Sequence, residues 1–422
     1  MKKISILIAL ILSLTMITTS CKKVEKTKGD NSTSSSQSSG DSDSSDPDEK
    51  GDDKKDSTSK TETTTAERII TTKEPIVTTE MPKESAVRYA YNSLSADEKD
   101  AYASILGATK AFQVKAVFKK PISFKSFQKA FALVYFQEPE LFWINGQYEV
   151  FDEDTNFTPI YYKADQETVA KMQAELDAKV KQIMDTIPQG ATTIDKLKVF
   201  HDYIAKNCSF TKDGDYAQTV YGALVQGKTQ CEGYAKAMGY LCDKAGIENM
   251  LQVGTNAQKA THAWNIVKID GEWYNIDVTW DDPTDKGYSE FVRYTYFNVT
   301  DAEILNKSHF QNLSYFTPPK CTATKANYQI YYKLYADSYD NGVKLIKEQL
   351  IAASNEKRRE VQIKVSSKAV LDELNSKLVD KKEIFNMIVE ANKTAKNKFK
   401  EGTVTPVKDD NVLTLQFVFE YK

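Results

Sequence analysis

The groups in this chain that could carry covalent chemistry are few: three histidines, five cysteines and the carboxylates. Cys231 is the best placed of them. It opens the run Cys231-Glu232-Gly233-Tyr234-Ala235-Lys236-Ala237-Met238, and Ala235, Met238, Leu241 and Ala245 recur at helical spacing as far as Gly246. The spacing predicts a helix with Cys231 in its first turn. There the unsatisfied amides and partial positive charge of a helix N-terminus favour the thiolate, which is the nucleophilic form of cysteine. An imidazole within reach would complete a pair poised to attack an acyl carbon.

His262 heads Thr261-His262-Ala263-Trp264-Asn265-Ile266-Val267, which reads as a strand, and a second strand runs from Trp273 to Trp280 after Asp270-Gly271. Asp-Gly between two such runs is a strong hairpin signal. With Asp270 and Gly271 at the centre of the turn, Ile269 faces Glu272, Trp264 faces Asp277 and His262 faces Thr279. Alternation then puts His262, Trp264, Asn275 and Asp277 on one face, with His262 and Asp277 diagonal neighbours about 7 to 8 Å apart. A slip of two residues would set that pair directly opposite, and an odd slip would separate it. Cysteine-based acyl transfer needs a nucleophile, a base and a carboxylate that fixes the base's tautomer. Cys231, His262 and Asp277 supply those three types in that order.

Such a constellation needs elements to hold it. A helix carrying Ile194, Leu197, Phe200 and Ile204 precedes the cysteine segment across a turn-rich stretch. Further upstream, order begins near Ser85, and Ser95-Ala96-Asp97-Glu98 has the spacing of a capping box ahead of Tyr102, Ile105, Leu106 and Phe112. Helical stripes follow at Phe127, Phe131 and Val134, and at Val169, Met172, Leu176, Val180 and Ile183. The aromatic cluster around Leu141-Phe142-Trp143 interrupts them and reads as core. Beyond residue 320 the pattern alternates, with Val343, Ile346 and Leu350 helical, Val361, Ile363 and Val365 in a strand, and a last strand near Val412 to Phe419. The fold class expected is α+β. Residues 85–165 form a helix-rich N-terminal domain, 166–320 the catalytic domain and 321–422 an α+β module with no chemistry that can be named.

The chain is too long for one compact core. It starts Met1-Lys2-Lys3, continues through an apolar run from Ile4 to Ile17 and reaches Thr18-Thr19-Ser20-Cys21. That is the anatomy of a secretory signal over residues 1–20, with an apolar run too short to span a bilayer as a mature helix. Residues 21–84 are mostly Ser, Thr, Asp and Lys, which cannot bury enough apolar area to offset their ordering entropy, so a flexible tether is expected. The 56 basic and 59 acidic residues leave a formal charge of -3, not the one-sided field that nucleic-acid binding requires. Four cysteines besides Cys21 make no disulfide framework. Cys231 and Cys242 share the predicted helix about 16 Å apart, too far to bridge, and Cys208 and Cys321 take the reading of buried thiols.

The two segments GKTQCEGYAKAMGYLCDKAGI and THAWNIVKIDGEWYNIDVTWDDP resemble the transglutaminase-like superfamily, in its bacterial branch similar to cytokinesis-associated transglutaminase/protease-like proteins. The likeness covers about residues 190–300. It implies a papain-like α+β core with Cys231 as nucleophile, His262 as general base and then acid, and Asp277 as the group that orients it. No cofactor and no metal are expected. For the oxyanion hole, the Cys231 backbone amide is the natural first donor. Many relatives add an indole upstream of the cysteine, but no Trp lies between Trp143 and Trp264, which leaves Gln226, Tyr221 and Gln230 as candidates for the second. The start of the chain is similar to bacterial lipoprotein signals, with Thr18 where those usually have Leu. Acylation of Cys21 would then anchor the protein on the extracytoplasmic face of the cell membrane; the alternative is a soluble secreted protein cut nearby.

The remaining features take plainer readings. His201 packs in its helix, His309 has no partner pattern, Trp264 and Trp280 are core beside the triad, and Asp281-Asp282-Pro283-Thr284-Asp285 forms a turn without the ligand spacing of a calcium loop. The functional expectation is an enzyme forming a thioester with protein or peptide acyl groups, cell-wall peptides among them, and passing it to water or to an amine. The alternative is a non-catalytic adhesion or scaffold lipoprotein that keeps the fold. A solute-binding lipoprotein is disfavoured, because residues 190–300 lack the repeated strand and helix alternation of two parallel-sheet lobes.

Overall fold

The computed structural model describes residues 8–10, 89–282, 292–306 and 308–422. Cys21, the tether to residue 84, and Pro283, Thr284 and Asp285 lie outside these, as does the leader apart from Ile8–Leu10 (β1), a short strand against Gln147–Glu149 (β3). Among the described residues no helix is long and apolar enough to cross a membrane.

Local signals set most of the helix starts. Ser95 and Glu98 close a capping box on α1 (Ala96–Lys110), and Thr192 and Asp195 do the same for α4 (Thr193–Asn207). Between them lie β2 (Lys115–Ile122), α2 (Phe124–Gln137), β4 (Thr155–Pro159) and α3 (Gln166–Met184), with β2 and β4 paired antiparallel. Residues 85–165 therefore hold strands as well as helices. The aromatic cluster is core, as its composition suggested: Trp143 stacks on Phe112 at 5.7 Å and Phe142 on Tyr221 at 5.4 Å.

The centre of the molecule is α5 (Cys231–Lys244), in which every residue from Cys231 to Cys242 is buried. A helix apolar on one stripe only could not sit there. Its two charged residues near the start are paired with each other, Lys236 Nζ to Glu232 Oε1 at 2.8 Å, and the Lys236 ammonium lies 3.9 Å from the centre of the Tyr135 ring. The helix packs on an antiparallel sheet of order β10-β7-β8-β9, formed by β7 (Asn249–Asn256), β8 (Thr261–Ile269), β9 (Glu272–Ile276) and β10 (His309–Phe310). Two short strands, β5 (Ser209–Phe210) and β6 (Lys228–Thr229), pair in parallel just ahead of Cys231. After the sheet come the single turns α6 (Val278–Asp281), α7 (Asp301–Ile304) and α8 (Tyr328–Tyr331).

The alternating pattern beyond residue 320 folds as read. β11 (Tyr335–Ala336), α9 (Tyr339–Glu356), β12 (Glu360–Val365), α10 (Lys368–Leu374), α11 (Glu383–Thr394), β13 (Phe399–Asp409) and β14 (Thr414–Tyr421) give a sheet of order β11-β12-β14-β13 with helices beside it. One apolar core runs from Ala90 to Ala326 and a second from Ala336 to Phe419. A third, small one joins Trp264 of β8 and Tyr296, Val299 and Ile304 to Val412, in the turn between β13 and β14.

Candidate active site

Cys231 is the first residue of α5, as the spacing predicts. Its cap residue, Gln230, makes no side-chain cap bond to the helix, so the positive end of α5 is not satisfied by its own cap. Gln230 instead donates from Nε2 to Lys212 O at 2.8 Å and accepts from Gln218 Nε2 at 3.3 Å. Close packing fixes the turn. A Cβ on Gly233 would fall 1.8 Å from Thr229 Oγ1 and 3.0 Å from Ala217 O, so only glycine lets the strand and loop approach the helix start this closely.

The hairpin has the register the Asp-Gly turn demands. Asp270 and Gly271 both take positive φ, 51° and 87°, and Ile269 pairs with Glu272 through to Asn265 with Ile276. The expected strand through Trp280 is corrected: β9 stops at Ile276. Asp277 leaves the sheet as the cap of α6, accepting the Trp280 backbone N–H at Oδ1 over 3.1 Å, and its own N–H donates to Tyr296 O at 3.1 Å. A short polar side chain that can cap the following turn competes with strand continuation, and here the cap prevails. Thr279 therefore lies in α6, not opposite His262.

His262 and Asp277 meet all the same, Nε2 to Oδ2 at 2.6 Å. With Nε2 committed to the carboxylate, Nδ1 is the ring nitrogen left for Cys231, whose thiol hydrogen-bonds the imidazole; Sγ also lies 4.0 Å from Thr261 O. His262 is fully buried, Asp277 is 1% exposed and Cys231 is 8% exposed, so Cys231 is the least buried residue of the set. Burial works against a charged imidazole, but the charge and hydrogen bond of Asp277, with a further contribution from Cys231, outweigh it and raise His262 to about 10. Burial likewise works against the Asp277 carboxylate, and His262 and His309 together still hold it well below the usual carboxylate range.

His309 is the residue the sequence missed. It sits on β10, paired with Asn256 of β7, and its Nε2 approaches Asp277 Oδ2 at 2.8 Å, the same oxygen that His262 contacts. No local pattern announces a two-residue strand that joins the sheet from beyond a long connection. The available hint was scarcity, since all three histidines turn out fully buried and in contact with an aspartate. His201 is a packing residue as read, stacked on Tyr294, but it also bonds Asp281 Oδ2 through Nε2 at 3.1 Å. Asp281 in turn accepts the Tyr296 N–H at 3.1 Å, while Asp282 accepts the Tyr234 hydroxyl, so Asp281 and Asp282 are buried structural groups. Trp264 is buried core, its Nε1 donating to Asn275 Oδ1 at 3.0 Å, and Trp280 packs its ring 4.4 Å from that of His309.

The ligating atoms of His262, Asp277 and His309 lie within 4.8 Å of one another, a donor set that metal ions accept. In this structure they are spent on each other, both imidazoles on Asp277 Oδ2. Of the groups considered for the second oxyanion donor, Tyr221 gives its hydroxyl to Glu175, Gln230 is tied as described, and Gln226 ends the helical turn Gly222–Gln226. Cys208 and Cys321 are buried free thiols, raised above the ordinary cysteine range chiefly by burial.

Residues 179–278 match the model of the transglutaminase-like superfamily. Kyphoscoliosis peptidase of Homo sapiens is 27% identical over 135 residues, and that of Mus musculus is 26% identical over 134; each alignment covers 28% of this chain and 20% of the relative. The chain thus spans about a fifth of the length of these relatives. A crystal structure of a TGase overlaps 39% of this chain and 50% of its own, at 14% identity and TM-score 0.24. The periplasmic domain of TgpA from Pseudomonas aeruginosa overlaps 34% and 63%, at 14% identity and TM-score 0.22. By the family-model match, residues 179–278 around Cys231 form a transglutaminase-like domain.

Proposed function

We propose that this transglutaminase-like domain is a cysteine-dependent acyl-transfer enzyme acting on peptide or protein amides, with Cys231, His262 and Asp277 as its catalytic residues. The observation that carries the reading is the position of one buried imidazole, bonded to Asp277 Oδ2 at 2.6 Å on one side and to the thiol at the start of α5 on the other. The proposed sequence follows from that geometry. The Cys231 thiolate attacks the carbonyl carbon of an amide, such as a glutamine side chain, and the oxyanion is held by the Cys231 backbone N–H. The C–N bond breaks as His262 gives its proton to the departing ammonia or amine, which leaves a thioester. Water or a second amine then attacks that thioester, His262 takes the attacking group's proton, and the C–S bond breaks to restore the Cys231 thiolate beside a protonated His262. Water makes the enzyme a hydrolase, and an amine makes it a cross-linking transferase.

The leader ending at Cys21 supports a location outside the cytoplasmic membrane on a lipid anchor, where surface proteins and cell-wall peptides would be the available amides. The test is a glutamine-containing peptide offered to the full-length chain with a labelled primary amine, read as ammonia release and amine incorporation. Cys231→Ala is expected to abolish both, by roughly a thousandfold or more, as loss of a triad nucleophile does. Wild type no faster than Cys231→Ala on peptide amides would favour the scaffold alternative.

A further inference from the structure

Asp277 has an unusual set of partners for a carboxylate that serves a single base. Oδ1 accepts the Trp280 N–H, and Oδ2 accepts from two imidazoles, His262 at 2.6 Å and His309 at 2.8 Å. An ionised carboxylate can only accept, so His309 must carry a hydrogen on Nε2. The other side of that ring faces Ser308, whose Oγ lies 3.0 Å from His309 Nδ1 and donates its own hydrogen to Ile304 O at 2.6 Å. The ring itself is clamped between Trp280 and Trp264, with centroids 4.4 and 5.1 Å away, and Tyr296 at 5.5 Å. His309 is fully buried and cannot touch bulk solvent or a large substrate. Among the described residues the titratable groups that face it are Asp277, His262, whose ring is 5.1 Å away, and the Tyr296 phenol, itself bonded to Asp409.

We propose that His309 is a positioning residue for the catalytic carboxylate: a second, rigidly held N–H donor that keeps Asp277 Oδ2 aimed at His262. The inference rests on the acyl-transfer reading of the same site. Asp277 sits where β9 has ended and α6 has just begun, so strand pairing does not hold its side chain in place. The Trp280 N–H fixes one oxygen only. His309, held by β10 pairing and by the Trp280 and Trp264 rings, fixes the other.

The test follows the rate of iodoacetamide labelling at Cys231 against pH in the full-length chain, read by mass spectrometry of the Cys231 peptide. His309→Phe keeps a ring of similar shape and removes the N–H donor to Asp277; His309→Gln keeps an N–H donor. For His309→Phe the profile should move up by about one pH unit and labelling near pH 6 should fall roughly tenfold, while His309→Gln stays within about twofold of wild type. A folded His309→Phe whose profile overlays wild type, or moves down, overturns the role. Should that variant not fold, histidine nitrogen NMR on the wild-type chain decides: hydrogen on His309 Nε2 at the pH where Cys231 reacts is required, and an Nδ1-only tautomer overturns the proposal. Wild type labelling like an ordinary thiol, unchanged by His262→Ala, would instead fail the enzyme reading and take this role with it.

Discussion

One oxygen of Asp277 serves two imidazoles, and that arrangement makes the site's pH behaviour specific. His262 is raised above its ordinary 6.5 to about 10, so its contribution to stability is full below about 6.5 and is lost as pH climbs through 10. The Asp277 carboxyl is depressed below its ordinary 3.8, so its contribution is present above that value and is lost as pH falls. Asp277→Asn removes both. The stability gap between wild type and Asp277→Asn should therefore be widest between pH 3.8 and 6.5 and narrow on the alkaline side toward about 10, as read from denaturant midpoints. A gap that widens as pH rises toward 10 would sink this account of the pair. Cys231, His262 and Asp277 were legible as candidates because each sits beside a local signal, a helix start or an Asp-Gly turn. His309 was not, because its partner is 32 residues away and its strand is two residues long.

At the scale of elements, the period of the apolar residues and the turn chemistry carried most of the information. The capping boxes at Ser95 and Thr192, the start of α5 and the β8–β9 register can all be read from neighbours in sequence. The end of β9 could not, since Asp277 stops the strand by capping the next turn while Tyr296 takes up its backbone N–H from 19 residues on. The start of α5 yields a prediction of its own. Gly233→Ala would drive a methyl group into Thr229 Oγ1, 1.8 Å from the ideal Cβ, and the helix start must shift. Overpacking of this kind costs about 1–3 kcal/mol, so the variant should unfold at lower denaturant and label more slowly at Cys231 than wild type. Unchanged stability and labelling would show that this close approach does not position the nucleophile.

At the scale of the whole molecule, the module beyond residue 320 has no chemistry of its own in the sequence, yet it reaches the wall of the site. Gln362 accepts the Tyr294 N–H at 3.2 Å and donates to Thr295 Oγ1 at 3.0 Å, Asp409 accepts the Tyr296 hydroxyl at 3.2 Å, and Lys364 pairs with Glu303 at 2.7 Å. These contacts converge on the segment whose Tyr296 backbone holds both Asp277 and Asp281. The module thus braces the segment that holds Asp277, a contact invisible in sequence because its partners lie 61 to 113 residues apart. The claim on which all of this depends is that Cys231 is an activated nucleophile, and it is tested most directly by iodoacetamide labelling of the full-length chain across pH, beside His262→Ala. Rapid labelling of Cys231 below about pH 7 that slows in the variant is the predicted result; labelling that rises only near the ordinary thiol range of about 8.5, with the variant unchanged, would contradict it.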